Sequence, residues 1–189
     1  MLKFARLLMV VGLAVLAGYA TAQEKGSAFT QASEDAPIVH VLSSFSFPAQ
    51  IGGFRRGEPT QFNEAGDDVS MAYYEDAALI VVTLYVYPTH GSTLADEFIA
   101  RKNEVSHVHP DAELISSATV AVTPKHVKAS SASYAFAGEF AGKERKLRSE
   151  LLVAQSGKWF VEYRISYPAE NQAIAAPKIK KLLQTFAWP

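Results

Sequence analysis

Hydrophobic and polar positions alternate along most of this chain, and the alternation is broken at intervals by proline, glycine and short polar runs. A period of two predicts strands that bury one face. The strand pattern begins at Ser43, where Phe45 and Phe47 alternate with serines and Pro48 ends the run. Ile51-Gly52-Gly53-Phe54 follows, and its paired glycines suit a bend or bulge that other residues resist. A strand from Phe54 to Phe62 meets the polar turn Asn63–Asp67. Val69–Tyr74 and Leu79–Tyr87 are then expected to form a hairpin around Glu75-Asp76. The second of these strands is apolar on both sides, with Ile80, Val82, Leu84 and Val86 on one and Val81, Thr83, Tyr85 and Tyr87 on the other. Such a strand needs cover on each face of its sheet.

After Pro88–Gly91 the period changes to that of a helix. Thr93, with Asp96 three residues on, has the spacing of a capping box. Leu94, Phe98 and Val105 share a face with Ala95 and Ile99 beside them, and Glu97 and Arg101 are placed for an i,i+4 ion pair. Pro110 ends the element. Four more strands are expected at Leu114–Thr123, Val127–Phe140, Arg145–Ala154 and Trp159–Tyr167. Their short turns require antiparallel neighbours. The last strand sends Trp159, Val161, Tyr163, Ile165 and Tyr167 inward and Lys158, Glu162 and Arg164 outward. A closing helix is clearest from Lys178 to Phe186, where Ile179, Leu182, Leu183 and Phe186 fall at i, i+3, i+4 and i+7. Its helical character begins either at Pro177, which suits a first turn, or near Ala169, in which case Pro177 lies inside the helix. These elements predict an α+β fold: a mostly antiparallel β-sheet of about seven strands covered by two main helices.

The N-terminus does not follow this pattern. Lys3 and Arg6 precede an uncharged apolar run, and Ala20-Thr21-Ala22 is a small-x-small cleavage site, so residues 1–22 are expected to be a secretory signal peptide cleaved after Ala22. The alternative, an uncleaved anchor, needs roughly 20 apolar residues, and the run Leu7–Ala22 is shorter and interrupted by Gly12 and Gly18. No cysteine follows to carry a lipid, so no stable membrane anchor is expected after cleavage. Residues 23–37 are polar and small and are expected as a flexible leader, with 38–189 as a single α/β domain. The chain has no cysteine at all, which fits export to a bacterial periplasm better than a disulfide-stapled eukaryotic secreted domain. Taking Lys3 and Arg6 from the 18 basic residues leaves a net charge of about −3 against 19 acidic ones. That balance disfavours nucleic acid and anionic membrane surfaces as partners.

Motifs for chemistry are sparse. There is no cysteine nucleophile and no G-x-S-x-G. Gly138–Lys143 is one residue short of a phosphate-loop spacing and lies between two strands, so it reads as a hairpin. His107 and His109 are the best metal candidates, with Asp111 or Glu113 as possible oxygen ligands, but they sit at a helix exit and read first as solvated loop histidines. No cofactor is expected. Tyr73, Tyr74, Tyr85, Tyr87, Tyr134, Tyr163 and Tyr167 lie on predicted strands, either as strand formers or, for Tyr85 and Tyr87, as part of an aromatic binding face. Arg55 and Arg56 follow the double glycine and either grip an anion or are solvated and paired with a neighbour such as Glu58. Arg148, Glu150, Glu162 and Arg164 are expected to form a cross-strand ion-pair set. Ala129, Ser131, Ser133, Ala135 and Ala137 give one strand face of small side chains, suited to a closely approaching helix or to the floor of a shallow groove.

Phe47-Pro48-Ala49-Gln50-Ile51-Gly52-Gly53-Phe54-Arg55-Arg56, followed by Asp68-Val69-Ser70-Met71-Ala72-Tyr73, resembles uncharacterised exported proteins of Gram-negative bacteria. The element order from Ser43 to Trp188 is similar to the PsbP-type α/β/α sandwich, an antiparallel sheet between helices. That resemblance implies an exported accessory protein and supplies no catalytic residue to carry over. Photosystem members bind metal and partner subunits, and this chain offers no matching site. The function expected first is a periplasmic, non-enzymatic accessory or binding protein with a protein partner or small ligand. The alternatives are a periplasmic hydrolase with a site built from scattered polar residues, or a metal-binding protein using His107 and His109.

Overall fold

The structure, a computed structural model, describes residues 27–189; the expected signal peptide, residues 1–22, lies outside the described residues. Eight strands form one antiparallel sheet. The first meander runs through β4 (Gln50–Ile51), β5 (Phe54–Gln61), β6 (Val69–Glu75) and β7 (Ile80–Pro88). Helix α1 (Leu94–Val108) then crosses to the far edge. The second meander returns through β8 (Glu113–Val122), β9 (Val127–Phe140), β10 (Lys143–Ser156) and β11 (Trp159–Pro168). The two meanders join where β11 pairs antiparallel with β7, giving the order β4-β5-β6-β7-β11-β10-β9-β8. A 3₁₀ turn (Ala169–Asn171) leads into α2 (Gln172–Thr185). The α+β class and the two covering helices are those the patterning predicts.

Three details differ from expectation. Ser46–Phe47 does not join the main sheet. It is β3 of a small separate sheet with β1 (Phe29–Thr30) and β2 (Ile38–His40). From Ser27 on, the segment expected as a flexible leader is partly built in: Ala28 is buried and its N–H donates to Gln61 Oε1 at 3.1 Å. On α1, Ile99 is exposed rather than packed, and the sheet-facing side carries charge. Of the two starts open for the closing helix, the earlier is found: α2 begins at Gln172 and contains Pro177.

The central strands are buried on both sides because the helices lie on opposite faces. Under α2 pack Met71, Val82, Leu84, Tyr163 and Ile165, all at most 1% exposed, together with Phe45 and Phe47 from the small-sheet region. Under α1 lie Tyr87, Tyr134, Leu151, Val153 and Phe160. The Thr93 hydroxyl caps α1 by accepting from the Asp96 N–H at 3.2 Å, as its spacing predicts. At the turn between β4 and β5, Gly52 has φ +61°, and a Cβ there would meet the Leu182 backbone at 3.2 Å. The double glycine therefore serves both a left-handed turn and the close seating of α2. Lys178 pairs with Glu75, and the Asn171 side chain donates to the Ala78 carbonyl at 3.0 Å, tying the start of α2 to the β6–β7 hairpin. No helix among the described residues is long and apolar enough to cross a membrane.

Candidate functional site

Neither helix spans its whole face. α1 packs on β9 and β10, whereas α2 packs on β11 and the end of β8. On the α2 side the outer strands are left open, and a groove of about 350 Å³ lies there. Its floor is made by Ala118 of β8 and Ser131 and Ser133 of β9, the small-residue face seen in the sequence. Those side chains keep the sheet surface low beside α2, which contributes Gln172 and Ala176 as a wall. The face is divided between the two readings: Ser131 and Ser133 floor the groove, while Ala129, 0% exposed, belongs to the core that holds α2.

Three larger polar side chains enter the groove: Arg148 and Glu150 from β10 and Tyr167 from β11. Tyr167 donates to Glu150 Oε1 at 3.1 Å. Burial pushes the Glu150 carboxyl above the usual carboxylate range, against the opposing pull of the Tyr167 hydrogen bond. Burial, together with the Glu150 carboxylate, pushes the Tyr167 phenol up as well. The Arg148 Nε is buried with no hydrogen-bond partner, and Arg148 makes no ion pair among the described residues. An unengaged guanidinium beside hydroxyls and a carboxyl can receive a carboxylate or similar planar anion as a bidentate ligand.

The expected cross-strand set of Arg148, Glu150, Glu162 and Arg164 does not form. The β10–β11 register sets Leu151 opposite Arg164 and Val153 opposite Glu162, while Arg148 lies opposite Tyr167. The two charge pairs therefore point to opposite faces of the sheet. Glu162 and Arg164, read as outward, lie under α1, with Glu162 0% exposed. Arg164 bonds to Glu162 and, through Nη2, to Glu104 of α1 at 3.0 Å. Arg101 donates a hydrogen bond to Glu104 at 2.6 Å and forms an ion pair with Glu97 at 3.0 Å, the i,i+4 pair predicted. The Tyr87 hydroxyl lies 2.9 Å from both Glu97 and Glu162. Burial alone would lower the Arg164 pKa, but the Glu162 and Glu104 carboxylates outweigh it and raise it, keeping the group charged.

The other candidates from the sequence do not converge on one site. Arg56 donates to the main-chain carbonyls of Phe47 at 2.6 Å and Ala36 at 3.2 Å, clasping the small sheet to β5 rather than pairing with Glu58. Arg55 is exposed, 3.7 Å from Asp76 and over the Tyr74 ring. Tyr85 is half-buried and stacks on Phe62 at 5.9 Å. Tyr87 is engaged beneath α1. His107 is exposed in the last turn of α1, and His109 stacks on Phe136 with ring centroids 4.1 Å apart. Among the described residues no group of three or more His, Cys, Asp or Glu side chains is placed to hold a metal ion.

One histidine–serine contact does occur. His40 Nδ1 meets the Ser43 Oγ, and Nε2 lies 2.7 Å from the Gly66 carbonyl. His40 is 0% exposed and its ring packs against Trp159, so the pair is a core feature and not part of the groove. Burial lowers the His40 pKa below its ordinary 6.5, and burial acts on His109 in the same direction. Below the ordinary value the unfolded chain binds protons that the native rings resist, so this part of the stability is present at higher pH and lost as the pH falls. Urea midpoints measured from about pH 8 to about pH 5 should decline on the acid side, and His40→Asn should flatten that decline. An unchanged slope in the variant would show that His40 does not contribute to it.

Fold and groove together define a layered α+β domain, one antiparallel sheet between two helices with an open polar groove. The chain matches no family model and no curated protein. Among solved structures it is similar to cyanobacterial PsbP (CyanoP) from Synechocystis, with a TM-score of 0.49, 10% identity, and coverage of 92% of this chain and 99% of that one. It is also similar to PA94, a protein of unknown function from Pseudomonas aeruginosa, with a TM-score of 0.41, 14% identity, and coverage of 70% of this chain and 99% of that one. At such identities the likeness concerns the fold alone and carries no ligand, partner or activity to this chain.

Proposed function

We propose that this chain is an exported accessory protein that acts by binding rather than by catalysis, and that its groove takes a small polar ligand bearing a carboxylate. Arg148 carries this reading: it lines the groove and makes no ion pair among the described residues. A guanidinium without a protein carboxylate suits a carboxylate ligand. The hydrolase and metal-binding alternatives have less support, since the His40–Ser43 contact is sealed in the core and His109 is stacked on Phe136. The N-terminal pattern Lys3, Arg6 and Ala20-Thr21-Ala22 supports export.

Two measurements test this. Intact-mass analysis of the exported protein should give a chain beginning at Gln23. In NMR titrations of that mature chain with acetate, succinate and N-acetylalanine, saturable shifts should gather at Ser131, Ser133 and Gln172. Arg148→Met should weaken binding at least about tenfold, and Glu150→Gln should strengthen it. Shifts elsewhere, no shifts, or binding unchanged in Arg148→Met would overturn the ligand reading.

A further inference from the structure

We propose that β8 is the pairing edge of a symmetric dimer, in which two copies of this chain join their β8 strands antiparallel about a two-fold axis near Ala118 and Thr119. This goes beyond the ligand reading and does not depend on it.

The two edges of the main sheet are treated differently. At one edge β5 carries Arg55, Arg56, Glu58 and Pro59, is bulged between Arg56 and Pro59, and is shielded by the two-residue strand β4. These are the usual devices that prevent strands from adding to an edge. At the other edge β8 is ten residues long and pairs only with β9. From Leu114 to Val122 it holds no charge and no proline, and its one irregularity falls near its start, between Leu114 and Ser116. Nearly all of it is exposed, including Leu114 at 47% and Ile115 at 44%. A long, regular, neutral edge of this kind offers its free backbone N–H and C=O groups to another strand.

Charge selects a second copy as the occupant. Asp111 and Glu113 flank the beginning of β8, Lys125 and Lys128 follow its end, and all four are exposed. None of them is ion-paired among the described residues. Antiparallel self-pairing sets the acidic end of each strand beside the basic end of the other. Centred on Ala118 it brings Asp111 to Lys125, and centred on Thr119 it brings Glu113 to Lys125. Parallel pairing would align like charges, which is unfavourable across strands. A two-fold axis normal to the sheet also keeps each face continuous. Ala118, which lies at the open side of each groove, then meets Ala118 or Val120 of the other copy, and the two grooves merge into one trough walled by both α2 helices.

The absence of native cysteine makes the test direct. The mature chain should sediment as a concentration-dependent dimer. Ala118→Cys, if the axis passes at Ala118, or Thr119→Cys, if it passes at Thr119, should oxidise to a covalent dimer, because residues paired across antiparallel strands lie within disulfide reach, whereas Thr60→Cys on β5 should not. Thr119→Pro should weaken dimerisation at least about tenfold while the monomer's circular dichroism and melting stay native. Should that variant not fold, the reversal Asp111→Lys with Glu113→Lys should weaken the dimer, and adding Lys125→Glu with Lys128→Glu should restore it. A monomer at every concentration, a dimer indifferent to these substitutions, or equal cross-linking from Thr60→Cys would overturn the proposal. Thr119→Pro retaining its carboxylate titration at the groove would separate the two readings.

Discussion

Replacing Leu182 and Phe186 together by alanine is expected to lower the urea midpoint sharply or abolish folding. Both side chains are 1% exposed. The Phe186 ring sits 6.0 Å from that of Phe47 and 6.3 Å from that of Tyr73, joining the small sheet to the main one. Beyond it the Trp188 Nε1–H donates to the Tyr163 hydroxyl at 3.0 Å. Truncating a packed Leu costs about 2–5 kcal/mol and a Phe about 3–5, because the cavity left behind adds to the lost burial. A whole domain has only about 5–15 kcal/mol of stability. α2 is thus a structural cover, with Gly52 letting its backbone seat against the β4–β5 turn. If a chain lacking residues 177–189 kept an unchanged cooperative transition, that assignment would fail.

The second large effect is expected at Arg164. Arg164→Met should destabilise the domain by about 3–5 kcal/mol, since removing one partner leaves buried carboxylates uncompensated. Glu162, 0% exposed, and Glu104 both lose a partner. Adding Glu162→Gln to Arg164→Met should recover part of the loss by removing one of the stranded charges. Hydrogen exchange should report faster opening of α1 in the single variant, because Glu104 is the helix's direct link to Arg164. Equal stability of the single and double variants would mean that Glu162 carries no uncompensated charge once Arg164 is lost.

Much of this architecture was legible in the sequence. The hairpins followed from turn chemistry: Ala141-Gly142 adopts positive φ between β9 and β10, as a tight turn demands. β7, apolar on both sides, announced two covers, and the spacing of Ile179, Leu182, Leu183 and Phe186 identified one of them. The groove floor was visible as a run of small residues on one face of β9. These features depend on side-chain period and local backbone preference, which act over a few residues and leave their mark in composition.

What tertiary structure alone decided was how those faces are shared. Glu162 and Arg164 look like a solvated face because their alternation with Val161, Tyr163 and Ile165 is clean; Glu162 is buried and Arg164 half-buried because α1, distant in sequence, lies over them. The β10–β11 register then separates them from Arg148 and Glu150. Arg56, equally readable as a surface cation, is held by the Phe47 and Ala36 carbonyls because β3 docks beside β5. The pairing of β7 with β11 also joins strands far apart in the chain. Alternation tells that a residue belongs to one of two faces, and only the assembled neighbours determine whether that face meets water, a helix or an open groove.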